Sequence, residues 1–429
     1  MNKCKLSDIT LQIYDGKHGG CSKQPNSGFY FISVKDIDGL VLKYENAMQI
    51  PEDEFNEIFS RTSLEVGDTL YANTGDTIGK SVFVTDGPYV SKTAFQKSVA
   101  VVKPNKEKVY PRYLYYLMKY ETPRLRAAAS GSGQKNLLLD TMRNFETSIH
   151  DMPDQTKIAG VLAPIDEKIK KNNVIADNLE GLVKFIYDYW FVQFDFPDQN
   201  GMPYKTSGGA MEWNSELKRE IPCGWKVKKL SDLACEGKDC PYTSPQCVPT
   251  FDLSVMPSNN MLLADFNESK NFSTNLFVLK QGDILFGSIR PYLRKAGIAP
   301  CDGAVAGTVH AIRPRRKEDY NFLATTLCSE RMFKYATTVS QGTKMPVVTI
   351  DSLFDYKIAY DETVAEKFNG FDIKGVFSRI AIENHELAAL RDFLLPMLMN
   401  GQVKIKTESS ESGASPTQSK DIENKKTGK

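Results

Sequence analysis

Residues 155–190, QTKIAGVLAPIDEKIKKNNVIADNLEGLVKFIYDYW, decide the architecture. Apolar side chains recur in steps of three and four at Ile158, Leu162, Ile165, Ile169, Ala176, Leu179, Val183, Ile186 and Trp190, the signature of a helical seam. A straight helix of that length would run about 54 Å. Asn172 falls on the seam as a polar insertion of the kind that fixes register. Pro164 predicts a kink or a short preceding helix. A second, less regular seam follows far downstream at Ile373, Ile380, Leu387 and Leu394, flanked by Phe377, Leu390 and Leu398, with Pro396 disturbing its end. A seam needs a partner, and two seams in one chain predict an antiparallel intrachain pair.

What precedes each seam is similar. Lys5-Leu6-Ser7-Asp8-Ile9 answers Lys229-Leu230-Ser231-Asp232-Leu233. Val66-Gly67-Asp68-Thr69-Leu70 answers Lys280-Gln281-Gly282-Asp283-Ile284-Leu285. A strand ending in Lys103-Pro104 answers one ending in Arg313-Pro314, and each is followed by a short helix, near Tyr113–Met118 and near Phe322–Cys328. Each half then has a Gly-rich turn, Gly133-Gln134-Lys135-Asn136-Leu137 and Gly342-Thr343-Lys344-Met345-Pro346, aligned by a constant offset of 209 that also matches Ile149 to Ile358. Five landmarks in one order indicate duplication.

The reading is therefore an α+β chain: two α/β domains separated by two long helices that form an antiparallel intrachain coiled coil, a pseudo-twofold repeat. The expected boundaries are a first domain at 1–152, a first spacer helix at 153–195, an extended Gly/Pro/Asn/Ser-rich linker loop at 196–224, a second domain at 225–360, a second spacer helix at 361–404 and a disordered tail at 405–429. The chain of 429 residues has no run of about eighteen apolar residues, so no membrane span is expected. Its first residues, MNKCKLSDITLQ, lack the apolar stretch of a secretory signal. With 54 Lys+Arg against 53 Asp+Glu, any nucleic-acid surface must come from local clustering. The 8 cysteines are scattered and the 4 histidines unpaired, which predicts free thiols in a reducing cytoplasm and no zinc site.

Two catalytic patterns are close without fitting. Gly75-Asp76-Thr77-Ile78-Gly79-Lys80-Ser81 resembles a phosphate-binding loop, but three residues separate the glycines where four are needed. A turn between two strands, with Lys80 outward, is the better account. Pro197-Asp198 with Glu216-Leu217-Lys218 fits a loose metal-nuclease pattern, yet lies in the Gly/Pro-rich linker rather than on adjacent strands. Neither the Asn/Asp-Pro-Pro-aromatic motif of amino-methylating enzymes nor a strand followed by GxGxxG is present.

The Gly67–Ser81 strand pair, the turn Ser130-Gly131-Ser132-Gly133-Gln134-Lys135-Asn136-Leu137, the helix opening Gln155-Thr156-Lys157-Ile158 and closing Tyr189-Trp190-Phe191-Val192, and above all the loop Phe196-Pro197-Asp198 through Pro203-Tyr204-Lys205, Ser207-Gly208-Gly209 and Glu220-Ile221-Pro222-Cys223-Gly224-Trp225 resemble the specificity subunit of type I restriction–modification enzymes, end to end apart from the tail. Pro164 and the turn Gln341-Gly342-Thr343-Lys344 depart from the family pattern. The resemblance implies a non-catalytic, cytoplasmic reader of double-stranded DNA. Two target-recognition domains would each read half of a split site, and the helices would space them and dock two methyltransferase subunits. A restriction/translocase subunit would join to cut. No cofactor would be bound by this chain; S-adenosylmethionine, ATP and Mg²⁺ would belong to the partners. Alternatives are a stand-alone DNA-binding protein and a nucleotide-hydrolysing enzyme using the Gly75–Ser81 turn.

Cations grip phosphates or guanine edges, and Asn and Gln read adenine. The candidate DNA-binding residues are Asn73, Thr74, Lys80, Lys92, Gln96, Gln134 and Lys135 in the first half, and Arg290, Tyr292, Arg294, Lys295, Gln341, Thr343 and Lys344 in the second. For Arg290–Lys295 and for the denser Arg313-Pro314-Arg315-Arg316-Lys317, a solvated surface is as good a reading as phosphate contact. Gly133 and Gly342 read as positive-φ turn positions. On the first helix, Asp166, Lys170 and Asp177 are expected to face outward.

Overall fold

The structure, a computed structural model, describes residues 1–131, 135–238, 240–403 and 405. It falls into two compact units, residues 1–161 with 395 onward, and residues 162–394. None of the described helices is long and apolar enough to cross a membrane.

In the first unit, the strands Thr10–Asp15, Val99–Pro104, Thr69–Ala72 and Ser81–Phe83 form an antiparallel sheet in that order. A smaller sheet orders Met48–Gln49, Tyr30–Ile32 and Thr93–Phe95, the last two parallel. Asn2–Lys5 pairs with Glu146–Ile149. The Gly-Asp motif earns its place through turn chemistry: Gly67 sits at φ 100°, and Asp68 Oδ2 accepts the Glu65 N–H at 2.9 Å and the Lys103 ammonium at 3.1 Å. The following helix, Pro111–Ala127, is longer than expected. Pro111 opens it, and the run Tyr113–Met118 is buried.

The second unit repeats these parts. Ala234–Glu236, Val309–Pro314, Ile284–Gly287 and Ala296–Ile298 form the larger sheet. Asn267–Glu268, Pro249–Phe251, Gly303–Ala306 and Leu276–Leu279 form the smaller, again with one parallel pairing. Asp283 Oδ2 accepts the Lys280 N–H at 2.9 Å, and the Arg313 guanidinium grips Asp283 with two bonds, at 2.6 and 2.8 Å. The short helix expected near Phe322–Cys328 is Tyr320–Leu327, and a second, Glu330–Val339, follows it, capped by Ser329 Oγ, which accepts the Met332 N–H.

The first long helix runs Met152–Tyr187 with Pro164 inside it, so no separate short helix precedes the proline, and it closes in a π-helical turn, Asp188–Val192. Its part from Leu162 packs antiparallel to the second long helix, Ile373–Met399, within the second unit: Arg391 meets Asp166 at 3.0 Å, and Asn172 meets Asn384 at 2.9 Å. Asp166 is therefore not outward but fully buried, since it adjoins Ile165 on the seam and the helical period of 3.6 turns it inward. Lys170 is half-buried beside Glu167; Asp177 is exposed. The second spacer is not one helix. Glu362–Phe368, capped by Asp361, stands apart from Ile373–Met399, where Asp372 Oδ1 accepts the Gly375 N–H. Pro396 is accommodated inside the helix.

The linker 196–224 is more ordered than a loop. Met211–Asn214 pairs with Arg219–Pro222 around a turn in which Asn214 Oδ1 accepts the N–H groups of Glu216 and Leu217 and Lys218 takes a positive φ. Phe196 stacks on Tyr204 and on Trp225, and Asp195 binds the Thr206 N–H and hydroxyl. The tail beyond residue 405 lies outside the described residues.

Candidate nucleic-acid interface

Each unit holds a seven-residue loop between two sheet strands, closed by a second loop arriving from the far side of the sequence. In the first unit, the Ala72 N–H donates to the Lys80 carbonyl at 2.8 Å, closing residues 73–79. The Asn73 N–H donates to Ser98 O, Gly75 N–H to Lys135 O at 2.7 Å and Leu137 N–H to Asn73 O at 2.8 Å, while Ser130 and Asn136 exchange two bonds. In the second unit, Gly287 N–H donates to Lys295 O at 2.8 Å, Ser288 N–H to Thr308 O, Arg290 N–H to Pro346 O at 2.7 Å and Val348 N–H to Ser288 O at 2.9 Å, and Gln341 and Val347 exchange two bonds. Each of these bonds in one unit has its counterpart in the other.

This equivalence corrects the expected alignment. Asn136 matches Val347 and Ser130 matches Gln341, an offset of 211 rather than 209. Gly342, at φ 102°, therefore answers Gly131, at φ 129°, and not Gly133, which with Gln134 lies outside the described residues. The seven-residue loops match by 215, so Gly75 and Gly79, at φ 62° and 97°, correspond to Arg290 and Arg294, at φ 51° and 56°. The glycine spacing that resembled a phosphate loop is thus the spacing of two left-handed positions in a turn between strands. Arginine keeps that conformation in the second unit, a backbone state costing on the order of 1–3 kcal/mol per residue.

The structure sorts the candidate residues. Thr74, Lys80 and Lys135 gather at the first loop crossing, with Lys80 and Lys135 exposed. Asn73 is there too but buried, its Oδ1 accepting the Thr74 hydroxyl at 3.0 Å, so it shapes the loop instead of reaching outward. Gln96 is half-buried, its Oε1 accepting from Ser98 Oγ; Lys92 lies exposed at the opposite end of strand Thr93–Phe95. In the second unit Arg290, Tyr292, Gln341, Thr343 and Lys344 are exposed at one edge. Arg294 pairs with Glu330 at 2.8 Å and Lys295 donates to the Leu253 carbonyl at 2.5 Å, so both brace the turn. The Arg313–Lys317 stretch is likewise engaged: Arg313 with Asp283, Arg315 Nε with Ser231 O, and Arg316 with Glu362 at 2.6 Å. Sequence reasoning missed Leu293, Met345 and Val347, apolar and exposed at the second crossing; the only signal was their place inside an otherwise cationic turn.

Behind the second crossing sits His310, buried, its Nε2 3.0 Å from the Val348 carbonyl and its Nδ1 3.6 Å from Glu236. Burial holds its imidazole below the usual histidine range, partly opposed by the Val348 bond and Glu236. Elsewhere, the carboxylates that fitted a nuclease pattern have structural partners: Asp198 accepts the Asn200 and Met202 N–H groups, and Glu216 pairs with Lys357. Among the described residues no three His, Cys, Asp or Glu side chains group as a metal site would require.

The two units are mixed α/β domains with matching loop crossings, each leading into a long helix, so the fold is that of a duplicated protein. Residues 26–180 match the family described as the type I restriction modification DNA specificity domain. The MjaIX specificity subunit of Methanocaldococcus jannaschii is 23% identical over 342 residues, covering 76% of this chain and 75% of that protein. The HindI specificity subunit of Haemophilus influenzae is 23% identical over 419 residues, covering 80% and 88%. Among solved structures, the type I restriction–modification S subunit from M. genitalium aligns over 93% of this chain and 96% of its own at 15% identity, with a TM-score of 0.49. The HsdS subunit from Thermoanaerobacter tengcongensis aligns over 94% and 97% at 12% identity, with a TM-score of 0.33. The chain is thus similar to type I restriction–modification specificity subunits over about three quarters of its length, and its residues 26–180 match their DNA specificity domain.

Proposed function

We propose that this chain is the non-catalytic DNA-reading subunit of a type I restriction–modification enzyme. In this reading its two loop crossings each take one half of a bipartite duplex target, and methyltransferase and restriction subunits act where it binds. The observation that carries the reading is the repetition of one hydrogen-bonded loop crossing in both units, with exposed cations at each: Lys80 and Lys135 in the first, Arg290 and Lys344 in the second. Cations on such loops position the phosphate backbone, and the polar and apolar side chains between them read base edges.

Two methyltransferase subunits dock on the helices, carrying S-adenosylmethionine; the translocating restriction subunit supplies ATP and Mg²⁺ chemistry; and the assembly works in the cytoplasm. The long helices act as the ruler that sets the unread gap. Mapping of methylated adenines at base resolution, in host DNA with and without the gene, tests the proposal. It expects one split motif that disappears with the gene. An unchanged methylation pattern would refute it, and so would a deletion of a few residues in the first long helix that leaves the methylated gap unaltered.

A further inference from the structure

The second loop crossing differs from the first in what it exposes. Tyr292 and Leu293 are 51% and 40% exposed at the tip of the 288–294 loop, and Met345 and Val347 are 53% and 37% exposed on the loop pinned to it by the Arg290–Pro346 and Ile289–Val347 pairings. The matching places in the first unit are polar or withdrawn: Thr77 for Tyr292, the buried Ile78 for Leu293, and Asn136 for Val347. Four apolar side chains at one edge, next to the exposed Arg290 and Lys344, form an apolar tip with a cationic rim. The tip is held by a backbone in which Arg290 and Arg294 keep the left-handed conformation their counterparts assign to glycine. Strain retained at a solvent-facing turn marks a shape that is used.

We propose, building on the DNA-reading function above, that this tip reads thymine, packing Leu293 and its neighbours against thymine C5-methyl groups in the major groove while Arg290 and Lys344 hold the flanking phosphates. Cationic rim and apolar tip together fit a duplex: the rim complements phosphates, and the one apolar feature any base edge offers is the thymine methyl, displayed only in the major groove. The first unit, with Thr77 and Asn136 in the corresponding places, reads its half by hydrogen bonds. Methyl recognition is therefore confined to one half-site.

The test uses the full chain assembled with its methyltransferase subunits and duplexes bearing the mapped target, in which each thymine is replaced singly by deoxyuridine. One or two positions in a single half-site lose about fourfold in affinity, the value of one buried methyl-sized group. Leu293→Ser and Met345→Gln abolish that discrimination, so that the thymine and uridine duplexes bind alike, while substitutions in the other half-site keep their full effect. Uniform tolerance of deoxyuridine, alongside tight binding of the thymine duplex, overturns the inference and leaves the DNA-reading function standing. A target half without thymine on either strand overturns it as well, as does discrimination that survives both substitutions. Thymine made hyper-reactive to permanganate in the complex also overturns it, since the tip would then be unstacking bases. Equal affinity for target and scrambled duplexes removes the DNA-reading function itself.

Discussion

The side-chain amide of Asn172 donates to Asn384 Oδ1 at 2.9 Å across the two long helices, and the Asn384 amide in turn donates to Asn173 Oδ1 at 2.7 Å. Asn172 also reaches Glu383 at 2.7 Å, and with Lys168 it holds that carboxyl below the usual range. A polar layer in an apolar seam fixes register at a cost in stability. Asn172→Leu, which strands the buried Asn384 carbonyl, should destabilise the protein by about 1–3 kcal/mol. Adding Asn384→Leu should recover most of that loss. Denaturant titration of the single and double variants checks both.

The Asp166–Arg391 pair predicts a larger effect. Asp166 is fully buried and the Arg391 side chain 13% exposed, so Arg391→Met leaves a carboxylate inside the helix pair with its main cation gone. Removing one member of a buried pair costs about 3 kcal/mol or more. Asp166→Asn in the same chain should return part of it, and a double-mutant cycle of melting temperatures measures the coupling.

His310 gives stability a pH dependence of definite sign. Burial disfavours its imidazolium in the folded state, so the unfolded chain binds the extra proton more readily. The contribution is present above the unfolded value of about 6.5 and is lost as pH falls toward the depressed folded value. His150, lowered for the same reason, acts in the same direction. His310→Gln, which keeps a donor for the Val348 carbonyl and does not titrate, should flatten part of the decline in unfolding free energy between neutral and mildly acidic pH.

Arg290 should trade stability against binding. Arg290→Gly supplies the residue found at the matching Gly75 and relieves the left-handed strain, raising stability by roughly 1 kcal/mol. The same change removes a rim cation, weakening DNA binding across sequences and lowering the salt slope by about one. Opposite movements of melting temperature and affinity in one variant check the assignment; a variant weaker in both would refute it.

The duplication was legible because its landmarks are local turn chemistry. Gly67-Asp68 and Gly282-Asp283 are needed where a positive φ meets a carboxylate that caps its own turn. Both seams were legible for a similar reason, since helical period is written in consecutive residues. The interface was legible only in part. Arg294 and Lys295 read as free cations, and their partners, Glu330 and the Leu253 carbonyl, come from distant segments that no local pattern announces. Matching the two turns glycine to glycine gives an offset of 209, whereas the Asn136 and Val347 backbone pairings that set their register give 211. The linker hairpin was hidden by composition: its polar turn masks the alternation that buries Ile221.

The first unit contains both Met1–Val161 and the chain from Leu395, where Leu395, Leu398 and Met399 are buried and Gly401 lies beside Met1 and His150. During synthesis, then, the domain begun first is finished last, and the one begun second has its whole sequence in hand sooner. A premature stop before Leu395 should therefore leave residues 162–394 whole while depriving the first unit of the buried Leu395, Leu398 and Met399.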